Sequence, residues 1–222
     1  MINTPSISDD IDGDNERLFS QIAMDLRGQG YSVCPEALPG RLGEGLVRHL
    51  NDLSKEKFNN AGVGRKQELA HNNLIRGDEI CWITGESIAG REWLEWIAQM
   101  KAFLNRQLFL GLFSFESHFS HYAAGDFYKR HSDAFKGEAN RILSLVVYLN
   151  SDWKKEDAGE LILYEGESDT IGISVPPRLG TVVVFLSEEF PHEVSVTHSD
   201  RYSIAGWFRI NSSITECVDP PL

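Results

Sequence analysis

The N-terminal half of the chain shows the hydrophobic spacing of amphipathic helices. Apolar residues recur there at intervals of three or four positions, which places them on one face of a helix. Three segments share this spacing: 16–30, 40–58 and 91–109. The first ends in two glycines and is followed by the short β-prone run YSVC. The pattern therefore predicts three helices and one early strand.

Beyond Gly111 the pattern changes to short runs rich in β-branched and aromatic residues. Turn-forming sequences such as EGES, PPRLG and SEEFP separate these runs. The runs are FESHFSHYA, RILSLVVYLN, GELILY, IGISV, TVVVFLS, HEVSVT and RYSIAGWFRI. Strands that follow one another with no helix between them indicate an antiparallel barrel or a double-sheet jelly roll. We therefore expect an α+β fold with a mainly β core, a double-stranded β-helix supported by the N-terminal helices.

The same pattern predicts one folded domain with an N-terminal extension. Residues 1–15 are acidic and poor in large apolar side chains, which is typical of a mobile tail. We expect a single domain over 16–222, in which 16–110 forms the helical support and 111–212 forms the jelly-roll core. Residues 59–74 are polar and contain glycine, so this segment is predicted to be a mobile loop.

Charge and composition restrict the partners of the protein. The 222 residues include 33 acidic and 21 basic side chains, and the formal net charge of −12 argues against nucleic acid and anionic membranes as main partners, because both select basic surfaces. The three cysteines form no C-x-x-C pair, so neither a disulfide framework nor a thiolate zinc site is expected. The polar N-terminus has no signal-peptide pattern, and no apolar run approaches the roughly 18 residues of a membrane span. We expect a cytoplasmic protein.

The stretch FYKRHSDAF holds a candidate metal site, because His131 and Asp133 lie two positions apart. In an extended strand, such residues point to the same face. A third ligand has to come from another strand, and His192, at the start of HEVSVT, is the best candidate. Two histidines and one carboxylate form the facial triad of non-haem Fe(II) oxygenases, whereas zinc sites usually have three or four nitrogen or sulfur ligands.

Each of these residues also has an ordinary structural interpretation. A histidine that begins a strand is more often a hydrogen-bonding surface residue, and His118 and His121 are interpreted as packing or surface residues. Arg201 follows His192 by nine residues and begins an otherwise apolar strand. If it points inward it needs an anionic partner, and its guanidinium matches a carboxylate. A metal triad together with a carboxylate clamp favours the functional interpretation over a solvent-facing arginine.

This order of residues resembles the 2-oxoglutarate/Fe(II)-dependent dioxygenases. Within that superfamily it is most similar to the prolyl 4-hydroxylase domain family, which includes the hypoxia-inducible-factor type and its bacterial relatives. The matching words are IRGDEICWI, HYAAGDFYKRHSD, RILSLVVYLN, GELILY and PHEV followed by RYSIAGWF, which together cover roughly residues 75–210. The segments that contain the triad residues define the superfamily, whereas RGDEICWI and VVYLN point to the prolyl hydroxylase branch.

The resemblance implies a role for each site residue. His131, Asp133 and His192 would hold Fe(II), with 2-oxoglutarate and O₂ as cosubstrates and ascorbate as a reductant. Arg201 would pair with the distal carboxylate of 2-oxoglutarate. Two tyrosines would assist it: Tyr148, through a hydrogen bond, and Tyr122, near the keto-acid end. The residues implied at the substrate pocket and its rim are Tyr128, Trp207, Arg141, Arg76 and Asp78. Their ordinary alternatives are core packing for the aromatic residues and surface salt links for the charged ones.

The implied reaction is hydroxylation of a proline in a protein substrate, with release of succinate and CO₂. For a bacterial relative, the resemblance implies a host protein as target, for which a translation factor such as elongation factor Tu is a plausible choice, and the 59–74 loop would close over it. One alternative is a dioxygenase of the same superfamily that acts on a free amino acid, another small molecule or an alkylated base. The run RYSIAGWFR lacks the R-x-N-x-T-x-R motif of the alkylation-repair branch. A further alternative is a β-barrel binding module without activity.

Overall fold

A computed structural model describes residues 7–61, 75–134 and 140–211, and within them the chain forms three α-helices and eleven β-strands. The helices are α1 (Ile7–Gln29), α2 (Gly40–Asp52) and α3 (Ile88–Leu108). The strands are β1 (Tyr31–Cys34), β2 (Asn59–Asn60), β3 (Glu79–Trp82), β4 (Ser114–Tyr122), β5 (Tyr128–His131), β6 (Arg141–Tyr148), β7 (Leu161–Leu163), β8 (Ile173–Val175), β9 (Val182–Leu186), β10 (His192–Val194) and β11 (Arg201–Arg209). No helix in the described part of the chain is long and apolar enough to cross a membrane.

The strands pair into two antiparallel sheets. The larger sheet has the order β1-β9-β6-β11-β4-β3-β2, and the smaller one has the order β5-β10-β7-β8. Strands that are neighbours in the sequence, such as β9, β10 and β11, alternate between the two sheets. Two antiparallel sheets linked in this way form a jelly roll. The predicted double-stranded β-helix is therefore confirmed.

The three helices cover one face of the seven-stranded sheet. Their apolar stripes and the outward side chains of that sheet form one continuous core, in which each large buried side chain contributes about 1.5–3 kcal/mol to stability. The most deeply buried helical members are Ile22, Leu46, Trp93, Met100 and Leu104. The predicted stripes on 16–30, 40–58 and 91–109 are thus the faces that pack on the sheet.

Alternation along β6 divides its side chains between this core and the space between the sheets. Leu143, Leu145 and Val147 belong to the helix-side core, and Tyr148 belongs to a second apolar cluster between the sheets. Ser144 lies among the cavity-lining residues. Successive strand residues point to opposite faces, so one strand contributes to the core on one side and to the candidate site on the other.

The first helix begins at Ile7, nine residues before the predicted start at Glu16, and residues 1–6 lie outside the described part of the chain. The side chain of Asn15 explains part of this extension. It is buried, and its Oδ1 accepts a 3.0 Å hydrogen bond from Nε1 of Trp96 on α3. A polar residue that pairs with α3 cannot be recognised from local composition.

The division into a helical support and a later β core also needs correction. The early strands β1, β2 and β3 all join the seven-stranded sheet, and β3 pairs with β4. Each of these strands has at most four residues, which is too short to show a hydrophobic periodicity, and its pairing partner lies far away in the sequence. Of the predicted mobile loop 59–74, Asn59 and Asn60 form β2, and residues 62–74 lie outside the described part of the chain.

Candidate active site

A cavity of about 700 Å³ lies between the two sheets. Side chains from both sheets line it, and every sequence-predicted site residue except Tyr148 and Asp78 is among them. Tyr148 lies in the apolar cluster between the sheets, and Asp78 is buried beside the cavity-lining Arg76. The fold therefore brings the predicted residues together.

The two histidines of the predicted triad lie opposite each other on paired strands. His192 on β10 is in register with His131 on β5, and their ring centroids are 4.2 Å apart. Strand β5 ends at His131, so Asp133 reaches the pair from a bend and not, as predicted, by strand alternation. Its carboxylate oxygens lie 3.8 Å from His131 Nε2 and 3.6 Å from His192 Nε2. One ligand atom from each side chain therefore falls within 4.8 Å of the others.

Main-chain hydrogen bonds fix the tautomer of both histidines. Nδ1 of His131 lies 2.9 Å from the carbonyl oxygen of Lys129, and Nδ1 of His192 lies 3.1 Å from that of Phe190. A carbonyl oxygen only accepts, so each Nδ1 carries the proton and each Nε2 keeps its lone pair. This is the arrangement of metal-binding histidines, whose second nitrogen donates to a carbonyl or carboxylate.

The protonation states also suit a metal site. Burial lowers the pKa of His131, and the nearby His192 lowers it further, so the ring is neutral at pH 7. Burial raises the pKa of Asp133, but the two histidines and hydrogen bonds from Ser144 and Trp207 outweigh it and bring the pKa below its ordinary value. Metal ligands must be deprotonated, and His131 and Asp133 meet this requirement. No other cluster of three histidine, cysteine or acidic side chains in the described ranges could hold an ion.

Arg201 lies at the other end of the cavity as a buried cation. It is 1% exposed, its Nε donates to the carbonyl of Gly159 at 2.8 Å, and its Nη1 donates to Oγ of Ser203 at 3.3 Å. Its guanidinium carbon lies 4.9 Å from the ring centroid of Tyr122 and 5.1 Å from that of Tyr148. Among the described residues no carboxylate pairs with it. A buried charge of this kind is stable only with an anionic partner, so the cavity is suited to an anionic ligand.

Tyr148 supplies an unused hydroxyl beside this cation. Its Oη is buried and has no hydrogen-bond partner among the described residues. Burial raises its pKa to about 12, although the adjacent Arg201 acts in the opposite direction. The phenol is therefore a neutral donor at pH 7. A guanidinium and an unpaired hydroxyl together match the oxygens of a carboxylate.

Comparison with known proteins identifies the family. The family model of the 2OG-Fe(II) oxygenase superfamily matches residues 117–209, which contain the triad, Tyr148 and Arg201. The crystal structure of a Pseudomonas putida prolyl-4-hydroxylase superposes with a TM-score of 0.78 and is 36% identical, over 87% of this chain and 100% of that one. The chain belongs to the 2OG-Fe(II) oxygenase superfamily. As the name of the superfamily states, its members are oxygenases that use 2-oxoglutarate and Fe(II), and the triad cluster of this chain is suited to hold that ion.

Two further comparisons cover most of this chain. Mouse Egl nine homolog 1 is 28% identical over 194 residues, which are 82% of this chain and 47% of that protein, so the chain spans about half the length of this relative. A Trichoplax adhaerens prolyl hydroxylase, solved with a peptide fragment of hypoxia-inducible factor, is 24% identical and has a TM-score of 0.78 over 93% of this chain. The second comparison supports the fold alone.

Two arginines at the cavity edge of the oxygenase are already paired with carboxylates. Arg76 donates from Nε and Nη2 to both oxygens of Asp78 at 2.6 Å, and it lies 4.3 Å from the ring centroid of Tyr128. Burial alone would lower the pKa of Arg76, but Asp78 raises it above its ordinary value. Arg141 donates to Glu116 at 2.7 Å and lies 3.8 Å from the ring centroid of Trp207. Both arginines therefore form salt links, but these links lie on the cavity wall, and the one with Asp78 is buried and not on the surface as the alternative interpretation expected.

Three residues line or support the site without having been assigned to it from the sequence. His118 lines the cavity between Trp82 and Trp207, with ring centroids 5.2 and 5.5 Å away, and burial lowers its pKa to about 4. Ser144 donates to Asp133 at 2.6 Å. The third residue is Gly159, which contacts Arg201. No local pattern marks a histidine or serine as cavity-facing, since the strand register decides this.

Gly159 supports Arg201 by the absence of a side chain. Its φ is +68°, and an added Cβ would lie 2.9 Å from Thr197 Oγ1 and 3.1 Å from Arg201 Cδ. Only glycine adopts this backbone conformation without strain. The same residue provides the carbonyl that accepts from Arg201 Nε. The run GELILY therefore marked this position in the sequence, although the role of Gly159 depends on contacts between distant segments.

Proposed function

We propose that this dioxygenase is a protein prolyl 4-hydroxylase. The observation that carries the proposal is one cavity that holds the His131–Asp133–His192 cluster, the buried Arg201 and two aromatic walls, in a chain 36% identical to a bacterial prolyl-4-hydroxylase over all of that chain. The named relatives among the Egl nine proteins and the prolyl hydroxylases support the same reaction.

In this proposal, His131, Asp133 and His192 hold Fe(II) through two nitrogens and one carboxylate, which leaves positions open for small ligands. Arg201 pairs with the distal carboxylate of 2-oxoglutarate, and the Tyr148 hydroxyl donates a hydrogen bond to it. Tyr122, which is buried and faces Arg201, lies near the keto-acid end. These pairings would neutralise a buried cation and satisfy a buried hydroxyl at once.

The iron with its cosubstrates supplies the oxidising chemistry: 2-oxoglutarate loses CO₂ and gains one oxygen atom of O₂ to become succinate, while the other oxygen atom converts a proline C–H bond to C–OH. The protein supplies position, charge and exclusion of water. Tyr128 stacks on the His131 ring at 3.6 Å, and Trp207 faces the cavity next to Asp133. In the proposal, both would bound the space for the target proline beside the metal ligands.

The substrate in this proposal is a proline within a protein, and the target we favour is a translation factor such as elongation factor Tu. Arg76 with Asp78, and Arg141 with Glu116, are the charged groups at the edge of the cavity that would meet the flanking chain. The net charge of −12 is unsuited to nucleic acid or anionic membranes as partners. We further propose a cytoplasmic location and ascorbate as a reductant.

The decisive experiment compares the proteins of cells with and without the gene by mass spectrometry. The expected result is one or a few peptides with a +16 shift on proline that disappear with the gene and return with the purified enzyme, Fe(II) and 2-oxoglutarate. Hydroxylation of free amino acids without any peptide change would refute the protein substrate and support the small-molecule alternative. The His131→Ala variant is the matched control, because it removes one side chain of the metal cluster and leaves the rest of the cavity unchanged in sequence.

A further inference from the structure

The three side chains of the metal cluster are held in two different ways. Each histidine is fixed by a carbonyl oxygen two residues earlier in its own segment. Asp133, in contrast, accepts a 2.6 Å hydrogen bond from Oγ of Ser144 on β6, in the other sheet. Trp207 on β11, in the same sheet as Ser144, also faces the cavity beside Asp133. The orientation of the carboxylate therefore depends on the seven-stranded sheet, whereas that of the histidines is local.

The donor and acceptor roles along this contact follow from chemistry. An ionised carboxylate only accepts, so the single hydroxyl proton of Ser144 points to Oδ2 of Asp133. Oγ of Ser187 lies 2.9 Å from Oγ of Ser144. Because the Ser144 proton is already committed, Ser187 has to donate to Ser144. The result is a directed relay that runs from Ser187 through Ser144 to Asp133.

Burial makes this relay more than a surface contact. Ser144 is 2% exposed and Ser187 is fully buried. The main-chain N–H of Ser187 also donates to the carbonyl of Ile142 at 3.0 Å, which ties the residue after β9 to β6. A buried hydroxyl costs free energy unless it is hydrogen-bonded, and here both hydroxyls are used to orient one carboxylate. Apolar residues would fill these two positions without that cost.

We propose that Ser144 and Ser187 are positioning residues that hold the Asp133 carboxylate in its metal-binding orientation and thereby set the affinity of the site for a divalent ion. The inference rests on the metal site of the proposed function but not on its proline substrate. Groups that hydrogen-bond to metal ligands typically change metal affinity by about 10–100-fold when they are removed. We expect a loss in this range for Ser144, and a smaller one for Ser187, which acts through Ser144.

The test is a titration of the purified full-length protein with Mn(II), a redox-inert substitute for Fe(II), followed by the electron paramagnetic resonance signal of the free ion. Ser144→Ala removes the donor, and Ser144→Cys retains the approximate shape but offers only a weak donor. Ser144→Thr restores the hydroxyl. Ser117→Ala is the matched control, because Ser117 is an equally buried serine whose Oγ accepts from Trp93 Nε1 and which lies outside the cavity.

The expected result is a Kd raised about 10–100-fold in Ser144→Ala and Ser144→Cys, an intermediate value in Ser187→Ala, and a value near wild type in Ser144→Thr and Ser117→Ala. Unchanged Mn(II) affinity in both Ser144→Ala and Ser144→Cys would overturn the inference. An equal loss in Ser117→Ala would do the same, because the loss would then reflect general destabilisation. If the wild-type protein bound no Mn(II), the metal site itself would be refuted, so the two failures are distinguishable.

Discussion

Tyr148 offers a prediction in which stability and ligand binding change in opposite directions. In the free protein its hydroxyl is fully buried and has no hydrogen-bond partner among the described residues. A buried polar group without a partner costs about 1–3 kcal/mol. Tyr148→Phe removes that group and keeps the ring between Arg201 and the apolar cluster. The variant should therefore be more stable than wild type without ligand.

The same substitution should weaken the binding of 2-oxoglutarate. In the proposed complex the phenol donates to a carboxylate, and a hydrogen bond to a charged group contributes about 1.5–3 kcal/mol. Since about 1.4 kcal/mol corresponds to a factor of ten, the loss should raise the Kd of 2-oxoglutarate by roughly 10–100-fold. A stabilisation of 1 kcal/mol should raise the Tm of a protein of this size by about 2–4 °C.

The assay combines thermal unfolding of the free protein with a 2-oxoglutarate titration of the Mn(II)-loaded, anaerobic protein. Tyr164→Phe is the matched control, because the Tyr164 hydroxyl donates to Glu193 at 3.0 Å and lies outside the cavity. That control should lose stability and keep its affinity for 2-oxoglutarate. If Tyr148→Phe behaved like the control, with a lower Tm and an unchanged Kd, the Tyr148 hydroxyl would not contact the cosubstrate.

Three other predictions test separate parts of the structure. Gly159→Ala should raise the KM for 2-oxoglutarate severalfold, because the new Cβ meets Arg201 Cδ. The control Gly111→Ala has a similar φ of +67° and nothing within 4 Å of the new Cβ, so it should affect stability alone. Steady-state kinetics of both variants checks this prediction. The pKa of His118 is lowered to about 4 in the folded protein, whereas in the unfolded chain the imidazole takes up a proton below about pH 6.5. The folded protein should therefore lose stability as the pH falls from 6.5 toward 4. In urea unfolding, His118→Leu should remove about 2 kcal/mol of this loss between pH 7.5 and pH 5. Asn15→Ala should lower the free energy of unfolding by about 1–3 kcal/mol, because it leaves Trp96 Nε1 unpaired. Asp14→Ala, on the exposed side of α1, should leave that free energy nearly unchanged. Equal unfolding free energies for the two variants would contradict the docking of α1 on α3.

The parts of the site that were predictable are those with fixed spacing in the sequence. His131 and Asp133 are two apart, and Arg201 follows His192 by nine residues because β10 and β11 are joined by a short connection. A metal triad requires specific side chains, so few other histidines could compete. The jelly roll was predictable for a related reason, since short β-rich runs separated by turns, with no helix between them, leave few other folds open.

The parts that were missed depend on contacts between distant segments. Ser144 differs from its strand neighbours only in polarity, and its role becomes visible only when Asp133 and Ser187 lie beside it. His118 was interpreted as a packing or surface residue, and it does pack against Trp82 and Trp207. That this packing lies on the cavity wall depends on the pairing of β3 with β4. Local composition also failed for the start of α1, where an acidic segment is helical from Ile7 onward.

The central claim is that His131, Asp133 and His192 form one iron site beside the 2-oxoglutarate clamp of Arg201. The most direct measurement is the visible absorption spectrum of the anaerobic protein with Fe(II) and 2-oxoglutarate. We predict a weak metal-to-ligand charge-transfer band in the wild-type protein and its absence in His131→Ala. A wild-type spectrum without this band, or an unchanged band in His131→Ala, would contradict the claim.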